Sequence, residues 1–89
     1  MIEITFYPAF VKSYQKKTKY NPTLAKNFME KIDIFKENPF DNRLKTHKLS
    51  GNLKELYSFS IDYYHRIIFS FYETDKVIFE YFGSHDDVY

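Results

Sequence analysis

Two Asn-Pro pairs bracket the stretch that most constrains this chain. At Asn21-Pro22 the asparagine side chain is placed to cap a helix, and the proline is preset for its first turn. At Asn38-Pro39, just after Glu37, the residue before proline is pushed out of the helical region, so the helix must stop. Between the pairs, Leu24, Phe28, Ile32 and Phe35 recur at steps of four and three, joined by Ala25 and Met29. So wide an apolar stripe has to be covered along its length. The cover must come from the rest of an 89-residue chain, which is one domain, 1–89.

The flanking segments supply candidates for that cover. Ile2-Glu3-Ile4-Thr5-Phe6 alternates as a half-buried strand does, and Pro8 ends it while suiting the start of a helix. Phe10, Val11 and Tyr14 then follow at helical spacing. Lys12, Lys16, Lys17 and Lys19 fall on the other faces as a solvated surface. The polar link before Asn21 is short, so the two helices are expected to form an antiparallel hairpin. Phe40–Lys45 reads as a polar connecting loop, cationic through Arg43 and Lys45. Tyr57–Ile61 reads as a strand, with Tyr57, Phe59 and Ile61 on one face and Ser58 and Ser60 on the other. Asp62-Tyr63-Tyr64 reverses the chain into an apolar strand, Arg66–Phe71. A turn at Glu73–Lys76 leads to a last strand, Val77–Phe82, which Gly83 breaks. The expected fold class is α+β: an N-terminal strand, a two-helix hairpin, then a three-stranded antiparallel meander, with the helices packed on one sheet face. The opposite sheet face is expected to stay partly open.

Composition removes several functions. The chain has no cysteine, which excludes disulfides and thiolate metal sites. His47, His65 and His85 lack helical ligand spacing and a supporting carboxylate cluster, and there is no glycine-rich phosphate loop or HExxH motif, so no metal or cofactor is expected. A net charge of +1 argues against a general nucleic-acid binder while leaving room for a local cationic patch. No apolar run is long enough to span a bilayer and no secretory leader is legible, so the expected location is cytoplasmic, without membrane contact. Aromatic residues reach 21%, with ten Phe and nine Tyr. One small core hides only some of these rings, leaving others for stacking or for a protein partner.

The chemistry-bearing residues gather in and after His47–Phe69. Cleaving RNA without a metal needs a base for the ribose 2′-OH, an acid for the leaving 5′-oxygen and a cation on the phosphate. Histidine suits both proton roles, and arginine offers a permanently charged planar fork. Antiparallel pairing of the last two strands brings Arg66 and His85 to one edge of the sheet. Plainer readings stand beside this one. His47 and His85 are equally read as solvated loop residues, and Arg66 as a surface ion-pair partner of Asp62 or Glu80. His65 points to the other side of its strand, as a structural residue would. Tyr89 is either a frayed end or a base-stacking platform, and Asp86 and Asp87 are solvated tail charges.

Several motifs together resemble the RelE/ParE superfamily, the small bacterial toxins of type II toxin–antitoxin pairs. They are His47-Lys48-Leu49-Ser50-Gly51, Leu53, Tyr57-Ser58-Phe59, Arg66-Ile67-Ile68-Phe69, Gly83-Ser84-His85 and Val88-Tyr89, and the element order matches over the whole chain. The resemblance implies a ribosome-dependent mRNA endonuclease acting in the ribosomal A site, neutralised by a cognate antitoxin. Attack of the 2′-OH would leave a 2′,3′-cyclic phosphate. By similarity to YafQ- and YoeB-like members, His85 is the general acid, His47 the base and Arg66 the phosphate stabiliser, with Lys48, Lys54 and Tyr89 contacting substrate. Ser60 stands where many relatives carry a cation, and no glutamate matches the YoeB-like base. ParE-like members share the fold, lack the nuclease residues and poison DNA gyrase, so a gyrase inhibitor is the alternative. An inactive member kept as part of a repressor complex is a third reading.

Overall fold

In the computed structural model, which describes residues 1–50 and 55–84, two helices pack on one face of a five-stranded sheet. The elements are β1 (Glu3–Phe6), α1 (Pro8–Thr18), α2 (Pro22–Glu37), a 3₁₀ turn at Asn42–Leu44, β2 (His47–Lys48), β3 (Tyr57–Ser60), β4 (His65–Glu73) and β5 (Lys76–Ser84). Their order across the sheet is β1-β5-β4-β3-β2. β1 runs parallel to β5 and every other pair is antiparallel. The expected meander is therefore β3-β4-β5, extended at one edge by the two residues of β2 and at the other by β1. None of the helices is long and apolar enough to cross a membrane.

The helix boundaries follow the two Asn-Pro pairs. The Asn21 side chain accepts the Leu24 N–H at 3.0 Å, and the chain leaves α2 with the Asn38 N–H still bonded to the Ile34 carbonyl at 3.0 Å. The α2 stripe is buried as expected. Leu24, Phe28, Ile32 and Phe35 join Phe10 from α1 in one core with Phe59, Ile67, Phe69, Val77, Phe79 and Phe82 from the sheet. Phe35 is its centre. Its ring stacks on Phe59 at 4.7 Å and meets Phe69 and Phe79 edge-on at 5.0 and 5.2 Å, one partner from each strand of the meander. Aromatic content thus divides by type. Most phenylalanines fill the core, whereas Tyr7, Tyr20, Tyr63, Tyr64, Tyr72 and Tyr81 lie on the surface.

Three segments differ from their sequence reading. Phe40–Lys45 is not a plain loop: Asp41 caps a 3₁₀ turn by accepting the Arg43 N–H at 2.9 Å, and this turn sinks Leu44 fully into the core. Ser58 is buried although it lies on the face expected to be open. Gly83 does not break the last strand, which runs on through Ser84 because Gly83 and Ser84 still find partners in Arg66 and His65.

The last strand also carries a bulge. Tyr81 pairs with Ile68 and Phe79 with Phe69, so Glu80 is an extra residue on β5. Strict alternation from Val77 and Phe79 would turn Tyr81 inward and Phe82 outward. The bulge shifts the phase by one, and Phe82 enters the core while Tyr81 faces water. Ser13 of α1 holds this irregular point. Its hydroxyl donates to the Phe10 carbonyl at 3.0 Å and accepts the Phe82 N–H at 3.1 Å. Replacing Ser13 by alanine leaves a donor unsatisfied beside the core, at a cost of about 1–3 kcal/mol. Urea unfolding of Ser13→Ala is expected to show a lower midpoint with an unchanged slope.

Candidate phosphate-binding cleft

Among the described residues β2 pairs with β3 only as far as His47 opposite Ser58, and a cleft opens beyond that point. It has a volume of about 310 Å³ and is lined by Lys31, Arg43, Lys45, Ser60, Ile61, Asp62, Tyr63 and Arg66. β2 pairs His47 with Ser58, so continued pairing would set residue 45 opposite residue 60. The chain departs from that path because Lys45 adopts a left-handed conformation, with φ 53° and ψ 41°, directly after the 3₁₀ turn. Lys45 is the sole non-glycine residue with positive φ among the described residues. The kink is held on both sides, by the Lys45 N–H on the Asn42 carbonyl and the Thr46 hydroxyl on the Pro39 carbonyl. A side chain with a Cβ pays a steric penalty in this region. Lys45→Gly is therefore expected to be more stable than Lys45→Ala by about 0.5–1 kcal/mol in thermal melts.

Arg66 is the arginine that β4 delivers to this cleft. It pairs directly across from Ser60 on one side and from Gly83 on the other. The absence of a side chain at Gly83 leaves room beside the guanidinium, since cross-strand partners sit only about 5 Å apart. Arg66 is not an ion-pair partner of Asp62 or Glu80 among the described residues. Its Nη1 donates instead to the backbone carbonyls of Asp62, at 2.7 Å, and of His65, at 3.1 Å. One end of the guanidinium is thus fixed to the turn, and Nε and Nη2 have no protein acceptor among the described residues. A fork held this way is pre-positioned for an oxyanion.

The Asp62 carboxylate is occupied elsewhere. It accepts the N–H groups of Tyr64 and His65 at 2.9 and 2.8 Å, and His65 Nδ1 at 2.9 Å. Burial works to raise the Asp62 pKa, but the hydrogen bonds from the His65 ring and from the two backbone N–H groups outweigh it and hold the carboxyl below its ordinary 3.8. His65, half-buried against the Phe82 ring at 6.0 Å, is thereby a structural residue that locks the β3–β4 turn. Because the folded carboxyl is the more acidic one, its stabilising contribution is complete above pH 3.8 and disappears as pH falls through the lower folded value. Asp62→Ala is expected to cost about 1–2 kcal/mol at neutral pH, and Asp62→Asn less, since its amide oxygen still accepts the two backbone N–H groups. Denaturation of the wild type and both variants between pH 2 and 7 checks this, with Asp62→Asn losing less stability in acid.

The other sequence-derived residues fall as follows. His47 lies exposed on β2 and does not line the cleft. Its Nδ1 is 3.1 Å from the Lys45 carbonyl. A carbonyl only accepts, so Nδ1 is the donor in this contact. His47 is two strands and two residues from Arg66 by register, about 12 Å between Cα atoms. Lys48 is exposed and paired with Glu55 at 3.2 Å. His85, Lys54 and Tyr89 lie outside the described residues. The described chain ends at Ser84, directly across from His65.

No protein-family model and no curated protein matches the sequence. Solved structures do match. A YoeB/ParE toxin from Agrobacterium tumefaciens superposes with a TM-score of 0.78 over 94% of this chain and 99% of its own, at 15% identity. YafQ from E. coli matches at 0.69 over 100% and 99%, with 16% identity. The archaeal RelE of a RelE–RelB complex from Pyrococcus horikoshii matches at 0.71 over 93% of each chain, with 19% identity. The chain has the RelE/ParE toxin fold. The expected RelE-like order of strand, helical hairpin and meander is borne out on that comparison.

Within this RelE-like fold, the cleft holds cations that sequence reading did not single out. Lys31 follows the solvent edge of the α2 stripe, and Arg43 and Lys45 read as loop charges. Only the 3₁₀ turn and the left-handed Lys45 bring them beside Arg66. Ser60 lines the same cleft without adding charge to it.

Proposed function

We propose that this chain is the toxin of a type II toxin–antitoxin pair and cleaves mRNA in the ribosomal A site by metal-independent acid–base chemistry. The observation that carries the reading is Arg66: a guanidinium fixed to the backbone, in a cationic cleft, at the sheet end from which the chain continues to His85. In this reaction the ribose 2′-OH loses its proton to His47 Nε2 and attacks the adjacent phosphorus. The P–O5′ bond then breaks as His85 protonates the departing oxygen. A 2′,3′-cyclic phosphate and a 5′-hydroxyl result. Arg66 stabilises the charge that builds on the non-bridging oxygens. Donation from Nδ1 to the Lys45 carbonyl is compatible with a base acting at Nε2. Lys48, Lys54 and Tyr89 are assigned to RNA contact, and the ribosome supplies much of the RNA positioning that a net charge of +1 cannot.

A cognate antitoxin is the proposed protein partner. The archaeal RelE was solved with RelB, and the exposed rings Phe6 and Tyr7 beside Val11 provide apolar surface for such a segment.

Primer extension on translating ribosomes tests the activity. Wild-type protein is expected to produce discrete cleavage sites. Arg66→Ala and His85→Ala are expected to reduce cleavage at least 10²-fold, about the effect of removing one oxyanion donor or one proton-transfer group, without change in circular dichroism. Intact messages together with DNA damage would assign the chain to the gyrase-inhibiting alternative instead.

A further inference from the structure

The cleft offers more positive charge than one reacting phosphate uses. Besides Arg66 it presents Lys31 from α2, and Arg43 and Lys45 from the 3₁₀ turn and the residue that ends it. Arg43 is held by both oxygens of Asp41, through Nε and Nη2 at 3.0 Å each. Lys31 and Lys45 form no ion pair within 4 Å among the described residues, although Lys31 is near enough to Asp41 to help lower the pKa of its carboxyl, and the Asp62 carboxylate is turned to the His65 ring and the backbone. Even with Asp41 and Asp62 counted, positive groups outnumber negative ones. That excess field is concentrated in a concavity, where an anion is drawn most strongly.

At the rim stands Tyr63, 80% exposed, with Tyr64 edge-on to it at 5.0 Å and 65% exposed. These rings contribute nothing to the core. The backbone of the turn that carries both is fixed by the Tyr64 N–H on Asp62. An open aromatic face beside a cationic cleft matches a ligand that joins an anion to a planar base. The cleft volume of about 310 Å³ suits a single nucleotide unit. An acidic peptide would satisfy the lysines but leave Tyr63 unused.

We propose that Lys31, Arg43 and Lys45 hold a second phosphate of the single-stranded RNA, next to the one addressed by Arg66, with the attached base stacked on Tyr63. This rests on the reading of Arg66 as the group that meets the scissile phosphate.

The test is binding of a 2′-O-methyl hexaribonucleotide, which cannot be cleaved, to the purified full chain by fluorescence anisotropy across a salt series. Lys45→Gly keeps the left-handed backbone while removing the charge. It and Lys31→Ala are each expected to weaken binding several-fold and to reduce the slope of log K against log salt by about 0.7. Tyr63→Ala is expected to weaken binding about tenfold with the slope unchanged, and Tyr63→Phe to bind as wild type does. Unchanged affinity in the Lys31→Ala/Lys45→Gly double variant would overturn the proposal. So would equal competition by inorganic polyphosphate against wild type and Tyr63→Ala, or saturation by a glutamate-rich peptide with no response to RNA. Primer extension on ribosomes with the same variants separates the two readings. Cleavage by wild type that the cleft variants reproduce in full removes this inference alone, whereas no cleavage by wild type removes the nuclease reading itself.

Discussion

The contact on which this structure depends is the Phe35 ring set among Phe59, Phe69 and Phe79. One side chain of α2 touches three adjacent strands, so it fixes the helix over the meander and the strands against one another. Aromatic pairs of this kind add about 0.5–1.5 kcal/mol each beyond the area they bury. The site inherits its rigidity from this arrangement. β4, which carries Arg66, is the central strand, and its buried residues Ile67 and Phe69 follow directly after the arginine. The cleft is therefore mounted on a strand paired on both sides, the kind of element that holds a side chain at a fixed place.

The site shows a division of labour between backbone and side chains. Asp62 supplies its carboxylate to the turn and its carbonyl to Arg66, so one residue both closes the hairpin and aims the guanidinium. His65 reads from the sequence as a structural residue, and its ring completes the bonding of Asp62 and packs on Phe82. His47 is fixed differently, by a backbone carbonyl of the kinked residue two positions earlier. The left-handed Lys45 consequently touches two regions: it lines the cleft, and its carbonyl lies 3.1 Å from His47 Nδ1.

What the sequence revealed and what it hid have physical reasons. The helices were legible because Asn21, Pro22, Asn38 and Pro39 act locally, through caps and forbidden backbone angles. The meander was legible because Asp62–Tyr64 and Glu73–Lys76 are strong turn signals between apolar runs. The extension of β5 through Gly83 was not, since a glycine ends a strand only when its cross-strand partner is missing, and here Arg66 is present. Nor was the bulge at Glu80, which depends on Ser13 reaching across from α1. The cleft was the least visible part. Its residues come from α2, the 3₁₀ turn and the β3–β4 turn, and no local pattern marks Lys31 or Lys45 as neighbours of Arg66. Leu44, buried beneath them, is the residue that draws that turn inward, and as a lone leucine in a polar run it gave no periodic signal.

The parallel pairing of β1 with β5 has a consequence for the order in which the molecule comes into being. Glu3 lies beside Lys76 and Phe6 beside Phe79, so the first strand to be synthesised has no neighbour until the last one exists. α1 and α2 likewise have their apolar stripes ready long before Phe69 and Phe79 are available to cover them. Contacts this distant along the chain close late. Until β5 is made, β1 and the apolar stripes of the two helices lack the partners that complete the core. A protein proposed to act on ribosomes thus has no assembled cleft for most of its time on the ribosome that makes it.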